Sequence, residues 1–453
     1  MSQSTSASRD DRTATPLESR SFVRRMTLAM AWGQGLDGYD LGIISVVLTL
    51  VAKDLGISSG WLGLIAASSL IGIFLGGPVF GYLTDRFGRR RLFTLDILLF
   101  TVAGLAQAFV GEGWQLFVMR VLLGVAIGAE YAIGAPLLAE FVPAQGRGRR
   151  LAWLEVCWYV GFLISVVIGY AMLAMDFSWR WVLATSVVPA LVTLVLRHGM
   201  PESPRWLMSR GRTEEARRIV RRHLGDDAYF DAHYSGEVHQ AGGYRRLFAP
   251  AVRGRTIFVC VFWAALVAPY FAIFTFAPTV LTAVGIENEI AGVLGVNAIA
   301  VLGAVAGFFL IEKMGRRKML IPPFWIMAIA LFVVGLWTSA PLWVVIASFA
   351  SFAFFNAVAG NLAAVYPAEV FPTDVRTSGV GLASAASRVG AAAGTWLLPV
   401  GLDTIGVGAC MVIGGLICVI GAVVGQFMAP ETTNRSLTDI NPAHDVVPEP
   451  ATV

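Results

Sequence analysis

Charge is scarce in this 453-residue chain: Asp, Glu, Lys and Arg together make up 14% of it, against about 25% in a water-soluble globule. With 56% hydrophobic residues, that scarcity excludes an ordinary soluble enzyme. Cysteine is also scarce. The four present, Cys157, Cys260, Cys410 and Cys418, sit inside apolar runs without paired or CxxC spacing, so neither a disulfide framework nor a zinc site is expected. The sequence lacks a glycine-rich nucleotide loop, a metal-ligand cluster and any spacing of nucleophile and base. No catalytic residue, metal or cofactor is therefore expected, and any energy must come from an ion gradient or from the substrate's own gradient. The polar first twenty-odd residues have no apolar core or small-residue cleavage site, so the first hydrophobic helix is expected to stay as an uncleaved anchor. The net charge of +4 is read as membrane topology rather than a nucleic-acid footprint.

What is abundant is apolar sequence in lengths of about 20 residues, enough for one helical span each. Hydropathy places spans beginning near Met26, Trp61, Leu92, Trp114, Leu151, Trp179, Ile257, Ala291, Met319, Leu342, Gly379 and Ile405. The fold class is all-α membrane protein, with twelve helices in two six-helix bundles, 26–197 and 256–429. A polar tail (1–25) precedes them, a linker (198–255) joins them and a second tail (430–453) follows. The linker carries an amphipathic helix, with Thr213 as N-cap, Glu214 and Glu215 in its first turn and Gly225 beyond its end. Of the 34 Lys and Arg, 30 fall on one side of this arrangement; only Lys53 and Arg180 fall on the other, and Arg120 and Arg388 lie within spans. The positive-inside rule then sets both termini in the cytoplasm, in a multi-pass protein of the cell membrane expected to be a monomer.

The two halves repeat each other. Asp85-Arg86-Phe87-Gly88-Arg89-Arg90 closes span two and Glu312-Lys313-Met314-Gly315-Arg316-Arg317 closes span eight. After spans four and ten come Ala139-Glu140-x-x-Pro143-x-x-x-Arg147 and Ala368-Glu369-x-x-Pro372-x-x-x-Arg376; after six and twelve come Pro201-Glu202-Ser203 and Pro430-Glu431-Thr432. Offsets so nearly constant mark an internal duplication.

These residues also carry a resemblance. Gly81-Tyr82-Leu83-Thr84-Asp85-Arg86-Phe87-Gly88-Arg89-Arg90 resembles the loop signature of the major facilitator superfamily, and Pro201-Glu202-Ser203-Pro204-Arg205-Trp206-Leu207 resembles the sugar porter signature shared with organic-ion branches. The resemblance implies two bundles rocking about a central site. It further implies an inner gate in which Asp85, Glu140 and Glu202 with Arg89, Arg147 and Arg205, and Glu312, Glu369 and Glu431 with Arg316 and Arg376, pair across the inner rim. The alternative is that these groups only satisfy helix ends and topology.

A charge at bilayer depth costs at least about 2.5–3.5 kcal/mol, so each one is a functional hypothesis. Asp96 and Glu155 lie close to basic residues at the inner interface and are read as structural. Asp40, 15 residues past Arg25, and Arg120, six past Trp114, both fall about 21–22 Å above the inner edge at 1.5 Å per residue, close enough to pair. A carboxylate beside a guanidinium takes up a proton when the two separate, which lets conformation control protonation; a fixed structural pair is the alternative. Gly38-Tyr39-Asp40-x-x-x-Ile44-Ser45 is similar to the first-span motif of proton-coupled sugar porters. There the aspartate carries the proton and its partner is the arginine in the position of Arg120-x-x-x-Gly124-x-x-x-Gly128. Asp37, one turn before Asp40, makes a doublet similar to the first-span motif of the aromatic acid:proton symporters; it either shares in protonation or orients the span. Glu130 is similar to an acidic position of organic-acid branches and either relays protons or pairs with a neighbouring helix.

Arg388 sits near the midplane of span eleven among Ala385, Ala386, Gly390 and Ala391, where helices and ligands approach closely. It either clamps a carboxylate in bidentate fashion or balances Asp37 or Glu130; aromatic acid symporters carry an arginine in this span. Gln34, Tyr39, Trp158, Tyr159, Tyr270, Phe274, Asn297, Asn356 and Asn361 are candidate cavity residues. The stretch Val261–Thr275 has no amide, where sugar porters carry a glutamine pair and an asparagine, and so matches a sugar's hydroxyls poorly. The expected function is proton-coupled symport of a small organic acid, aromatic acids among the candidates. Sugar or polyol transport comes second, proton/drug antiport is less favoured, and a non-transporting sensor is the reading from another class. The expected partners are the substrate, the proton and the bilayer, with no nucleic acid.

Overall fold

The computed structural model describes residues 13–142, 147–234, 244–286, 288–337, 339–371 and 375–432; a few side chains within them, including Asp85, Arg147 and Arg376, lie outside the described set. The first half contains α1 (Pro16–Leu55), α2 (Ser59–Phe87), α3 (Arg89–Ala106), α4 (Gly113–Phe141), α5 (Arg147–Ala174), α6 (Trp179–Ala184) and α7 (Val187–Arg197). The linker holds α8 (Pro204–Ser209), α9 (Thr213–His223) and α10 (Asp227–Tyr234). The second half contains α11 (Arg253–Thr275), α12 (Ala277–Ala283), α13 (Glu289–Leu310), α14 (Arg316–Leu336), α15 (Leu342–Val370), α16 (Arg376–Thr404) and α17 (Gly406–Met428). Among the described residues there is no strand.

By length and composition, 11 segments are able to cross a membrane, α6 and α7 counting as one. The twelfth span is α16, 29 residues long, whose Gly, Ala, Ser and Thr residues and Arg388 dilute its hydropathy. Large apolar side chains such as Leu105, Val195, Leu302, Trp343 and Phe427 stand exposed on the outer faces, as contact with lipid requires. The spans pack closely through small residues. A Cβ on Gly72 or Gly76 of α2 would strike the carbonyl of Val121 or Val125 on α4, and one on Gly124 would strike that of Ser69. Gly38 of α1 meets the Trp158 carbonyl of α5 in the same way.

Three boundaries differ from the sequence reading. Helix α1 starts at Pro16, ten residues before the expected span, because Thr15 and Glu18 form a capping box: the Glu18 N–H donates to Thr15 Oγ1 at 3.3 Å and the Thr15 N–H to Glu18 Oε2 at 2.8 Å. Hydropathy passes over this polar turn. Thr213 is the first residue of α9 rather than its cap, and Arg212 stands at the cap position. Span seven is broken at Phe276 into α11 and α12. The linker packs under the first half: Leu207, Ala216, Val220, Leu224 and Phe230 share a buried cluster with Val23, Met26 and Phe141.

Candidate functional site

At the linker-side ends of the spans the duplication reappears as geometry. Gly88 and Gly315 both take left-handed φ, 93° and 85°, and turn the chain into α3 and α14. The Glu202 carboxylate accepts the N–H groups of Arg89 at 2.8 Å and Arg90 at 3.2 Å; Glu431 accepts those of Arg316 at 3.0 Å and Arg317 at 3.1 Å. Each carboxylate thus closes a helix N-terminus, where exposed N–H groups and the helix dipole favour an anion. Arg89 pairs with Glu140, as Arg316 pairs with Glu369 at 2.6 Å. Ser203 donates to Glu140 at 2.5 Å and Thr432 to Glu369 at 2.6 Å.

These contacts join helices of one half, not opposite halves as the gate reading expects. The reason is reach: each carboxylate is spent on a helix end of its own bundle. Arg205 is exposed on α8, and Glu312 is exposed within electrostatic reach of Arg316. Asp85, Arg147 and Arg376, also expected in the gate, have side chains outside the described set.

Within the first half, Asp40 and Arg120 meet. Nη2 of Arg120 lies 3.4 Å from Asp40 Oδ2 and 3.3 Å from the Asp40 carbonyl, and neither side chain has any exposure. Gln107 Oε1, 3.5 Å from Nη1, is the third partner. The opposite turns of α1 and α4 thus bring together the two groups that depth arithmetic pairs.

A second buried group of charges lies nearer the linker. Arg197, at the boundary of the first bundle and the linker, ends α7 at 8% exposure. It pairs with Glu130, lies 3.8 Å from Asp96 Oδ2 and stacks over the Phe93 ring at 3.6 Å. Asp37 is within electrostatic reach of Glu130, Arg197, Asp96 and Asp40. Asp96, read from sequence as an interface residue, is 2% exposed inside this cluster. The missed residue is Arg197; its signal is its position at the end of span six, at a depth similar to Asp96.

Arg388 of α16 lies at the junction of the halves. Its guanidinium sits 5.1 Å from the Tyr131 ring of α4 and 5.8 Å from the Phe271 ring of α11. Glu155 of α5 is within electrostatic reach, but among the described residues Arg388 has no hydrogen-bonded or ion-paired partner, and its Nε is buried and unbonded. Arg388 is therefore not the counter-ion of Glu130, whose carboxylate is taken by Arg197. Aromatic rings join α5 to α11 beside it. Tyr270 stands 6.0 Å from Trp158, 5.9 Å from Tyr159 and 4.2 Å from Phe274 in a stacked pair. Phe162 is 6.3 Å from Phe274.

Other candidates turn away from the junction. Tyr39 shares a 2.7 Å hydrogen bond with Thr185 of its own half. The amide of Asn297 donates to the Val293 carbonyl at 2.8 Å, that of Asn356 to Leu266 at 2.9 Å, and that of Asn361 to Ala357 at 3.0 Å and Ala304 at 3.2 Å. Buried amides in an apolar bundle satisfy their donors on a nearby carbonyl: Asn356 and Asn361 tie α15 to α11 and α13, and Asn297 is taken up by its own helix. Gln34 is buried on α1.

The model of the family described as "Sugar (and other) transporter" matches residues 26–444. The inner membrane metabolite transport protein YgcS of Escherichia coli is 36% identical over 406 residues, 89% of this chain and 91% of that protein. The niacin transporter NiaP of Acinetobacter baylyi is 28% identical over 379 residues, 81% of this chain and 85% of that one. Among solved structures, the major facilitator superfamily proton:xylose symporter XylE bound to 6-bromo-6-deoxy-D-glucose aligns with a TM-score of 0.78. Its identity is 25%, over 94% of this chain and 99% of that one.

Proposed function

The chain belongs to the sugar (and other) transporter family, within the major facilitator superfamily, and on that footing we propose that it is a proton-coupled symporter of a small organic acid. The observation that carries the acid reading is Arg388. An arginine buried without an ion-paired carboxylate is costly, and its planar fork matches a carboxylate in bidentate fashion. Tyr131 and Phe271 flank that fork with ring faces that suit an aromatic or otherwise apolar acid. The niacin transporter offers a named precedent, since niacin is an aromatic carboxylic acid.

Proton coupling rests on Asp40 and Arg120. Burial penalises each charge, and their mutual attraction compensates only while they touch. A shift of α1 against α4 within the first half, coupled to the rocking of the two halves, leaves Asp40 to take up a proton, and return of the contact expels it. The rings of Phe162 and Phe274, 6.3 Å apart, join α5 of one half to α11 of the other. The charged ends on the linker side face the cytoplasm by the positive-inside rule, with the single chain as the transporting unit.

Sugar or polyol transport is the second reading, favoured by the xylose symporter and weakened by the engaged amides of Asn297, Asn356 and Asn361. Calorimetry on the purified protein separates the two, with a panel of aromatic acids, sugar acids, short hydroxy acids and neutral sugars, each against wild type and Arg388→Gln. The acid reading expects heat from one carboxylate class and a loss of about 10–100-fold in affinity in the variant, the value of a charged hydrogen-bonded contact. Binding of neutral sugars alone, unchanged in Arg388→Gln, overturns it.

A further inference from the structure

We propose that Asp37, Asp96, Glu130 and Arg197 form a second proton-binding site, separate from Asp40 and Arg120. Four helices contribute: α1 gives Asp37, α3 gives Asp96, α4 gives Glu130 and α7 gives Arg197. All four side chains are at least nine-tenths buried, with exposures of 2%, 2%, 4% and 8%. The site is built for close contact. A Cβ on Gly33 of α1 would strike Arg197 Nη2 and lie 2.6 Å from Glu130 Oε1, and one on Gly134 would lie 2.9 Å from the same oxygen.

Charge counting sets the occupant. Three carboxylates face one guanidinium, so full ionisation would bury two excess negative charges, a cost that such groups escape by holding a proton. Asp40 adds a further charge within reach of Asp37, but Arg120 already engages it. Glu130 Oε1 and Asp37 Oδ2 are buried with no hydrogen-bond partner, as are Nε and Nη1 of Arg197. An oxygen left without a donor in so dry a place is where a proton gains most. A metal ion fits poorly: Arg197 repels a second cation, and among the described residues no three acidic side chains converge in ligating geometry.

The cluster is also connected to the junction of the halves. The Tyr131 phenol lies within electrostatic reach of both Asp37 and Arg388, so the charge held here bears on the arginine assigned to substrate. This role in transport rests on the proton-coupled reading above, whereas proton binding itself does not.

The test is infrared difference spectroscopy of the purified full-length protein in lipid, without substrate, following the C=O stretch of a protonated carboxylic acid and its shift in deuterium oxide as pH is raised from neutral. A band at neutral pH is expected that is unchanged in Asp40→Asn and is shifted or weakened in Asp37→Asn, Asp96→Asn or Glu130→Gln, because each removes one of the carboxylates that share the proton. Three variants keep the test open if one fails to fold, which size-exclusion chromatography reports. Absence of the band in wild type, its loss in Asp40→Asn, an unaltered band in all three cluster variants, or its displacement by sodium at fixed pH overturns the proposal. Because no substrate is present, failure of the organic-acid reading leaves this outcome unchanged.

Discussion

Asp40 and Arg120 touch at 3.4 Å with neither side chain exposed, although 80 residues separate them and their helices run in opposite directions. Removing one partner of such a pair strands a buried charge and costs about 3–5 kcal/mol. Asp40→Asn strands the Arg120 guanidinium, which cannot shed its charge, and is expected to lower stability on that scale; Arg120→Gln leaves Asp40 free to take up a proton and is expected to cost less. Thermal unfolding of the purified variants checks the order, which reverses if the guanidinium alone carries the structural burden.

Glu202 and Glu431 each bind two backbone N–H groups at the start of a helix. Loss of a cap costs about 0.5–2 kcal/mol. Glu202→Ala and Glu431→Ala are expected to lower the apparent melting temperature by similar amounts, because the duplication gives them the same task. A large effect in one and none in the other contradicts the equivalence.

The duplication, the twelve spans and the Asp40–Arg120 pair were legible in the sequence because each rests on a local regularity: a repeated motif, apolar length, or rise per residue along a straight helix. What was not legible depends on where side chains turn. Tyr39 reads as a cavity residue from its motif, yet its hydroxyl finds Thr185. The three asparagines read as ligand contacts, yet their amides find carbonyls of neighbouring or their own helices. Arg197 stands in the sequence at the edge of a basic linker, and only the convergence of α1, α3, α4 and α7 reveals it as a buried counter-charge.

Glycine packing predicts a sharp contrast. Gly124→Val drives a branched side chain into the Ser69 carbonyl between α2 and α4, whereas Gly81 and Gly381 have open space where a side chain would go. Overpacking costs typically about 1–3 kcal/mol and more where backbone must move. Fluorescence-detected size exclusion is expected to show aggregated or absent Gly124→Val and monodisperse Gly81→Ala and Gly381→Ala. A well-behaved Gly124→Val removes the close-contact explanation.

His223 stacks on Phe22 at 4.3 Å where the linker meets α1. Burial, with Arg222 and Arg25 nearby, pushes its pKa from 6.5 down to about 4. The folded state then binds fewer protons than the unfolded one between these values. The docking of α9 on α1 is complete above pH 6.5 and weakens as pH falls toward 4. Hydrogen exchange of α9 is expected to rise over that window in wild type and to stay flat in His223→Gln; equal pH dependence in both rules His223 out as the cause.

Proton uptake by weakly buffered cells producing the protein tests the central claim most directly. An organic acid from the panel is added to wild type and to Asp40→Asn while external pH is recorded. The expected result is alkalinisation of the medium by one acid in wild type and none in the variant, which keeps exchange of labelled substrate across the membrane. Alkalinisation of equal size in Asp40→Asn contradicts the assignment of the coupling site, and alkalinisation by a neutral sugar with none by any acid contradicts the substrate class.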